Sequence, residues 1–188
     1  MMNQITPEQR AKLLHPIHAE TWRAWSNPEV LLRPSGLRLE ELDESVATSI
    51  LVVLKAAFSP EGYEKALTAM RINQFLGEIC HMPKIMNKYS YNFLVFGNPS
   101  TEKAWGWSLY GHHLCIKVFL LGPQVAISPT FAGAEPNIID EGEFSGTSIL
   151  QIEGNLGLKL IKNLPDMLKE EEWIFKLLRD LAWRRRES

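Results

Sequence analysis

The sequence has few cysteines, no surplus of positive charge and no long apolar run. Its two cysteines, Cys80 and Cys115, form no Cys-x-x-Cys pair, which argues against a disulfide framework or a zinc knuckle. A formal net charge of −2 argues against nucleic-acid binding. The longest apolar runs, such as residues 50–54, are far too short to span a bilayer, and the N-terminus lacks the pattern of a signal peptide. We therefore expect a cytoplasmic protein without nucleic-acid or membrane partners.

Familiar catalytic motifs are also missing. The sequence contains no Gly-x-Ser-x-Gly motif, and it lacks the glycine patterns of dinucleotide and phosphate-binding loops. Asp140, Glu141 and Glu143 form an acidic cluster, but it lacks the alternation of a calcium-binding loop. The sequence therefore names no reaction, and a function has to be inferred from individual side chains.

The length and composition are those of one globular domain. The chain has 188 residues, of which 45% are apolar and 22% are charged. A chain of this length buries a substantial core without disulfides or metals. We expect a single domain over residues 1–188.

The order of local signals predicts an α+β fold, with a helical N-terminal half, an antiparallel β meander of about four strands and C-terminal helices. Thr6-Pro7 and Ser59-Pro60 are helix N-cap signatures. Helical spacing of apolar residues marks a helix between them. Aromatic and β-branched segments separated by turn residues mark the strands. The predicted helices span 6–14, 39–58, 59–79, 147–163 and a segment from 165, and the predicted strands span 91–96, 105–110, 112–120 and 124–131.

The segment Trp105 to Leu114 carries the densest chemistry. It contains Trp105, Trp107, Tyr110 and the adjacent pair His112–His113. Histidine is a proton carrier near neutral pH and a common metal ligand, and aromatic rings line small-molecule pockets. We expect His112 and His113 to be catalytic, with His113 as a candidate metal ligand, and the three aromatic residues to bind substrate. The structural alternatives are a buried His112 with one hydrogen bond, His113 at a strand edge, and tryptophans that close the core between the sheet and the helices.

Strand alternation restricts what the histidine pair can do. Adjacent residues of one strand point to opposite faces of a sheet. If His112 and His113 both lie in a strand, they cannot bind one metal ion unless the strand is bulged there. Gly111 is predicted to be either a turn residue or such a bulge.

A polar stripe on the helix after Ser59 is the second candidate. Arg71, Gln74 and Glu78 lie on one side of this helix, at the spacing i, i+3 and i+7. We expect Arg71 and Gln74 to contact substrate and Glu78 to act as a catalytic base or to orient a histidine. Exposure to solvent is the alternative explanation of the stripe.

Four segments make the chain similar to the family named domain of unknown function 3500, DUF3500. They are residues 69–78, 91–97, 105–114 and 128–136. The Trp-Gly-Trp segment that ends in Gly-His-His is the most specific. The resemblance covers about residues 39–178, and it suggests a core over 39–180 preceded by a helical extension over 1–38. It implies that Arg71, Glu78, Trp107, His112 and His113 are this chain's counterparts of distinctive family residues.

The C-terminus departs from that resemblance. Members of the family continue further and carry more histidines, whereas this chain ends soon after Lys176 in a segment unlike theirs. The resemblance therefore implies a C-terminally shortened member. It implies no reaction.

These observations lead to one main hypothesis and two alternatives. The main hypothesis is a small-molecule enzyme of intracellular metabolism, with secondary metabolism as one option. It would use His-based acid–base or metal-assisted chemistry on a hydrophobic or aromatic substrate, in a reaction that the sequence does not identify. Its cofactor is unknown, and a divalent metal is one option. The alternatives are a non-catalytic binding or assembly module, which leaves oligomerisation open, and a truncated inactive relative.

Overall fold

The described elements form an α+β fold with helices at both ends, as predicted. A computed structural model describes residues 4–30 and 34–165, and the chain divides into two compact units, Met1–Ile149 and Leu150–Ser188. The first unit contains α1 (Pro7–Leu13), β1 (Leu14–His15), β2 (Leu37–Arg38), α2 (Glu44–Ala57), α3 (Pro60–Ile79), β3 (Tyr91–Phe96), β4 (Trp105–Gly111), β5 (Leu114–Leu121) and β6 (Gln124–Ala132). The second contains α4 (Gln151–Asn163). The helix predicted from residue 165 lies outside the described residues, and the single domain stays a prediction.

The two predicted N-caps begin the helices as expected. The Thr6 hydroxyl accepts a hydrogen bond from the backbone N–H of Gln9, whose side chain accepts one from the backbone of Thr6. Ser59 caps α3 by accepting from the N–H of Gly62. Helix α2 begins five residues later than predicted, because Leu39–Glu41 forms a short 3-10 turn instead.

Strands β3 to β6 form the predicted antiparallel meander in sequence order. The sequence did not indicate β1 and β2, which have only two residues each. Both pair with the outer edge of β3, β1 in parallel at Val95 and Phe96 and β2 antiparallel at Asn92 and Phe93. Strand β6 forms the opposite edge of the sheet.

The N-terminal segment covers one face of the sheet. Trp22 stacks on Phe96 with ring centroids 3.7 Å apart, and Ile17 and Ala19 pack against the same buried cluster. Gly106 makes this packing possible, since a Cβ there would lie 2.6 Å from the ring of Trp22. A glycine between two tryptophans thus admits the close approach of a third.

The other face carries the larger core. Phe93, Trp107, Leu109 and Ile116 alternate with the residues of the first face and are buried. Helix α3 contacts both α2 and β5. The fold therefore places α3 beside the end of the meander at which β4 turns into β5.

Two further sequence expectations concern cysteine and membranes. Cys80 is exposed and Cys115 is buried, and the two thiols are not paired. Within the described part of the chain, no helix combines the length and the apolar character needed to cross a membrane.

A substitution at Gly77 would test how closely α3 packs against Met86. Alanine is normally better than glycine in a helix by about 1 kcal/mol. Here a Cβ would lie 1.9 Å from the backbone oxygen of Met86. We expect Gly77→Ala to lower the free energy of unfolding by about 2 kcal/mol or more, measured by urea denaturation.

Gly154→Ala is the matched control, since no described atom outside its own helix backbone lies within 4 Å of a Cβ built at that helical position. It is expected to leave the stability unchanged or to raise it slightly. Equal effects of the two substitutions would contradict the close packing of α3 on residue 86.

Candidate functional site

His112 and His113 form the turn between β4 and β5, not the start of a strand. Gly111 ends β4 and pairs with Leu114, the first residue of β5. The predicted strand over 112–120 was therefore wrong at its start, and so was the expectation that the two side chains point to opposite faces. Their rings lie side by side, with centroids 3.9 Å apart. Alternation holds within a strand but not within a two-residue turn.

Tyr91 fixes the backbone of this turn. The buried hydroxyl of Tyr91 donates a hydrogen bond to the backbone oxygen of His112, 3.1 Å away. A Cβ at Gly111 would lie 2.7 Å from the ring of Tyr91, so glycine is needed at this position. His113 has a φ of 56°, in the left-handed region. That conformation costs a non-glycine residue about 1–2 kcal/mol.

Asn73 of α3 orients the ring of His112. The Asn73 amide nitrogen donates to the backbone oxygen of Asn87 at 2.8 Å and to the Ser90 hydroxyl at 2.9 Å. A backbone oxygen only accepts, so the amide orientation is determined and Asn73 Oδ1 faces His112 Nδ1, 2.9 Å away. His112 therefore carries its proton on Nδ1 when neutral, and its lone pair is on Nε2.

His113 contacts a carboxylate from beyond β6. Its Nε2 lies 3.3 Å from an oxygen of Glu135, to which it donates. Its Nδ1 is buried and has no hydrogen-bond partner among the described residues. Gly133 brings the two segments together, since its N–H donates to the backbone oxygen of His113 at 2.8 Å.

His112, His113 and Glu135 together form a candidate metal centre. Each residue offers one ligand atom, and these atoms lie within 4.8 Å of one another. His112 is buried, His113 is partly buried and Glu135 is exposed. Two imidazoles and one carboxylate are a frequent ligand set for zinc and for non-haem iron.

Burial favours the neutral form of His112. Burial first, and the neighbouring His113 second, lower the pKa of His112 below its ordinary value. The negative charges of Glu29 and Glu135 act in the opposite direction. A lowered pKa keeps the imidazole neutral near pH 7, which is the state that binds metals.

The predicted polar stripe of α3 contacts a different part of the chain. Glu78 accepts a hydrogen bond from Gln74 at 2.8 Å. Arg71 pairs with Glu64 and lies over the ring of Phe144. All three stripe residues line a small hollow of about 70 Å³ against residues 139–144. The hydrogen-bond partner of His112 is Asn73, so the structure does not bring Glu78 to the histidine as expected.

The three aromatic candidates have structural contacts. Trp107 is buried against Phe93, with ring centroids 5.8 Å apart. The buried Tyr110 hydroxyl bonds the backbone N–H and oxygen of Ser35. Trp105 is half-buried and donates from its indole to the backbone oxygen of Ser100. Their role in substrate binding stays a prediction.

Comparison with known families gives one match. A model described as "Protein of unknown function (DUF3500)" matches residues 1–187. The chain belongs to this family. The match extends beyond residues 39–178 in both directions, and it includes the C-terminal segment that looked unlike the family. Comparison with curated proteins and with solved structures gives no match.

Sequence reasoning about this DUF3500 chain missed Asn73 and Glu135. Asn73 lies within the family-like segment 69–78, but it is not part of the polar stripe. Glu135 lies in what was predicted as a loop, and its segment 128–136 was also family-like. The pairing of β5 with β6 could have indicated Glu135. Leu114 pairs with Ala132, so the residues just after β6, beginning with Gly133, lie next to His113.

The lowered pKa of His112 predicts how the stability of the DUF3500 chain depends on pH. Below about pH 6.5, the unfolded chain protonates this histidine more readily than the folded chain does. Acidification through this window therefore favours unfolding. We expect the urea midpoint of metal-free protein to fall more between about pH 7.5 and 5.5 than that of His112→Gln, which has no titrating ring.

The same substitution at the exposed His18 is the control, and His18→Gln is expected to keep the wild-type pH dependence. An unchanged slope in His112→Gln would show that protonation of His112 is not linked to folding.

Proposed function

We propose that this DUF3500 chain binds one divalent transition-metal ion through His112, His113 and Glu135 and uses it in chemistry on a small molecule. The observation that carries the proposal is the hydrogen bond between His112 Nδ1 and Asn73 Oδ1. Metal-binding histidines usually donate their second ring N–H to a carbonyl or carboxylate, which fixes the tautomer. Here this arrangement leaves Nε2 of a largely buried, neutral imidazole available as a ligand.

His113 supports the proposal through its contact with Glu135 and its backbone. Its Nε2 lies 3.3 Å from an oxygen of Glu135, which suits two ligands of one ion once the ring proton is on Nδ1. Its left-handed backbone is also more costly for histidine than for glycine. Costly conformations persist where the side chain has a function.

The separations between the ligand atoms are suitable for closure on an ion. Tetrahedral zinc with bonds of about 2.0–2.1 Å places its ligand atoms roughly 3.3 Å apart. The three atoms here lie within 4.8 Å of one another, and the Glu135 side chain is 68% exposed. Small side-chain movements would therefore bring the set to bonding distance.

The proposed ion would have coordination positions left for water or substrate. Three protein ligands with an open position are typical of catalytic sites, whereas structural zinc sites have four. Such an ion polarises a carbonyl or phosphoryl oxygen, or lowers the pKa of bound water so that hydroxide forms near neutral pH. The substrate would approach from the solvent side, on which Glu135 lies.

Metal content tests the proposal. We expect purified protein incubated with Zn²⁺ or Mn²⁺ and desalted to retain close to one ion per chain by elemental analysis. His112→Ala, His113→Ala and Glu135→Ala are each expected to lose most of this metal, because each removes one of three ligands. His18→Ala, at an exposed histidine, is the control and should retain it.

Asn73 distinguishes a metal site from a structural histidine pair. Asn73→Leu removes the acceptor that fixes the His112 tautomer, and loss of such a partner lowers metal affinity about 10- to 100-fold. Asn73→Asp keeps an acceptor for His112 but loses the donor to Asn87, and it is expected to bind metal more tightly than Asn73→Leu. Stoichiometric metal in all three ligand variants, or none in the wild type, would disprove the metal site. Loss of binding in Asn73→Asp equal to that in Asn73→Leu would disprove the role of Asn73.

If the protein binds no metal, acid–base catalysis is the remaining form of the enzyme hypothesis. The hydrogen bond between His113 Nε2 and Glu135 favours it, since a carboxylate partner fixes the orientation of the imidazole ring. In that mechanism His113 would exchange a proton with substrate. Metal binding is preferred because it also accounts for the oriented lone pair of His112.

A second candidate function is assembly through the sheet edge. Several apolar side chains at the β5–β6 edge are exposed, with Phe119, Leu121 and Phe131 on one face of the sheet and Val125 and Ile127 on the other. The assembly alternative predicts exposed apolar surface, and here that surface lies on both sides of the edge strand. The occupant that fits is a second copy, since two identical edge strands can pair about a two-fold axis. We place this function second because it gives the histidine–carboxylate set no role.

The oligomeric state tests this second candidate. We expect a concentration-dependent dimer in analytical ultracentrifugation, which Ile127→Lys should dissociate because a charge at the edge opposes pairing. Val52→Lys changes an exposed apolar residue of α2 and is the control. A wild-type monomer at high micromolar concentration would rule out assembly through this edge.

A further inference from the structure

The outer edge of β3 borders a cavity that is separate from the histidine turn. Strands β1 and β2 pair with successive parts of this edge, and the cavity of about 370 Å³ lies where α1, β1 and β2 meet. Its lining includes Lys12, His15, Ser35, Arg38, Glu41 and Asn92. None of these residues belongs to the proposed metal centre.

Asn92 is the residue of this cavity that needs a partner. It is 1% exposed, its amide nitrogen is buried, and its side chain makes no hydrogen bond within the described ranges 4–30 and 34–165. Buried amides are almost always hydrogen-bonded, so an unpaired one calls for an explanation. The amide torsion of asparagine is soft, which allows either polar atom to turn to the cavity.

Arg38 is held beside Asn92. The two residues are directly opposite each other across β2 and β3, which places their Cβ atoms about 4.5–5.5 Å apart on one face. The Arg38 guanidinium pairs with Glu40 and donates from Nη2 to the backbone oxygen of Ile85. These contacts fix the group but leave Nη1 without a partner among the described residues.

The remaining polar groups define the ligand further. His15 is saturated, since Nε2 donates to the backbone oxygen of Lys12 and Nδ1 accepts from Thr21. The ammonium of Lys12 has no ion pair in the described part of the chain. Positive and negative groups around the cavity nearly balance once Glu40 and Glu41 are counted. Among the described residues, the unpaired groups include donors and also two acceptors, Asn92 Oδ1 and the Glu41 carboxylate. A matching ligand must therefore supply several acceptors and one donor.

We propose that this cavity binds a small oxyanion, either a carboxylate or a phosphate, through Asn92, Arg38 and Lys12. Such a group presents several strong acceptors in a small volume, and its hydrogen bonds to charged donors are the strong ones. Glu41 is the acidic lining residue, and it would bind a donor elsewhere on the same ligand. The site is independent of the metal centre.

The test uses full-length protein freed of metal by a chelator, so that an anion cannot bind through an ion at His112. Inorganic phosphate and succinate are titrated separately at constant ionic strength, with chloride as the reference. The readout is the NMR signal of the Asn92 side-chain amide. We expect a saturable shift with phosphate, with succinate or with both, and the effective ligand identifies the source.

Variants show whether binding occurs at this cavity. Lys12→Gln is expected to weaken binding about tenfold, which corresponds to loss of one charge-assisted hydrogen bond. Lys103→Gln removes an exposed lysine from a turn outside the cavity and is expected to bind as the wild type does. No Asn92 shift with either anion, or equal weakening by both variants, would overturn the proposal.

Discussion

The hydrogen bond between Asn73 and His112 is the contact on which the candidate site depends. It joins the middle of α3 to the turn between β4 and β5, which are 39 residues apart in sequence. The orientation of Asn73 is itself imposed by Asn87 and Ser90 in the segment before β3. Helix, loop and turn therefore have to be correctly packed before the His112 lone pair points in one direction. This explains how a surface turn can carry a preorganised imidazole.

The helices and the four-strand meander were predicted well because the signals that specify them lie within short stretches of sequence. The caps at Thr6 and Ser59 and the turn residues between the strands act within four residues, so the helices and the meander follow from the printed sequence. Strands β1 and β2 could not be predicted, because two residues carry no periodicity. Their existence depends on the free edge of β3.

The site was predicted less well because its geometry is not periodic. The histidine pair was chosen correctly as a place where chemistry-bearing side chains meet, but alternation placed the rings on opposite faces. Their proximity follows from a two-residue turn with a left-handed second residue. Helical spacing likewise grouped Arg71, Gln74 and Glu78, but spacing does not show which side of a helix meets the sheet. That side carries Asn73, adjacent to the stripe.

The register shift in the last hairpin has a consequence for β6, the edge strand of the described sheet. Between Ile116 and Val118 the pairing of β5 with β6 slips, opposite Ser128 and Pro129. Proline offers no N–H to a further strand, and a bulge bends the strand that carries it. Strand β6 contains no charged residue, yet its nine residues are divided into two short stretches. A further strand can pair with only one of these short stretches at a time, which permits at most a short dimer ladder and limits fibril-like stacking of the uncharged strand.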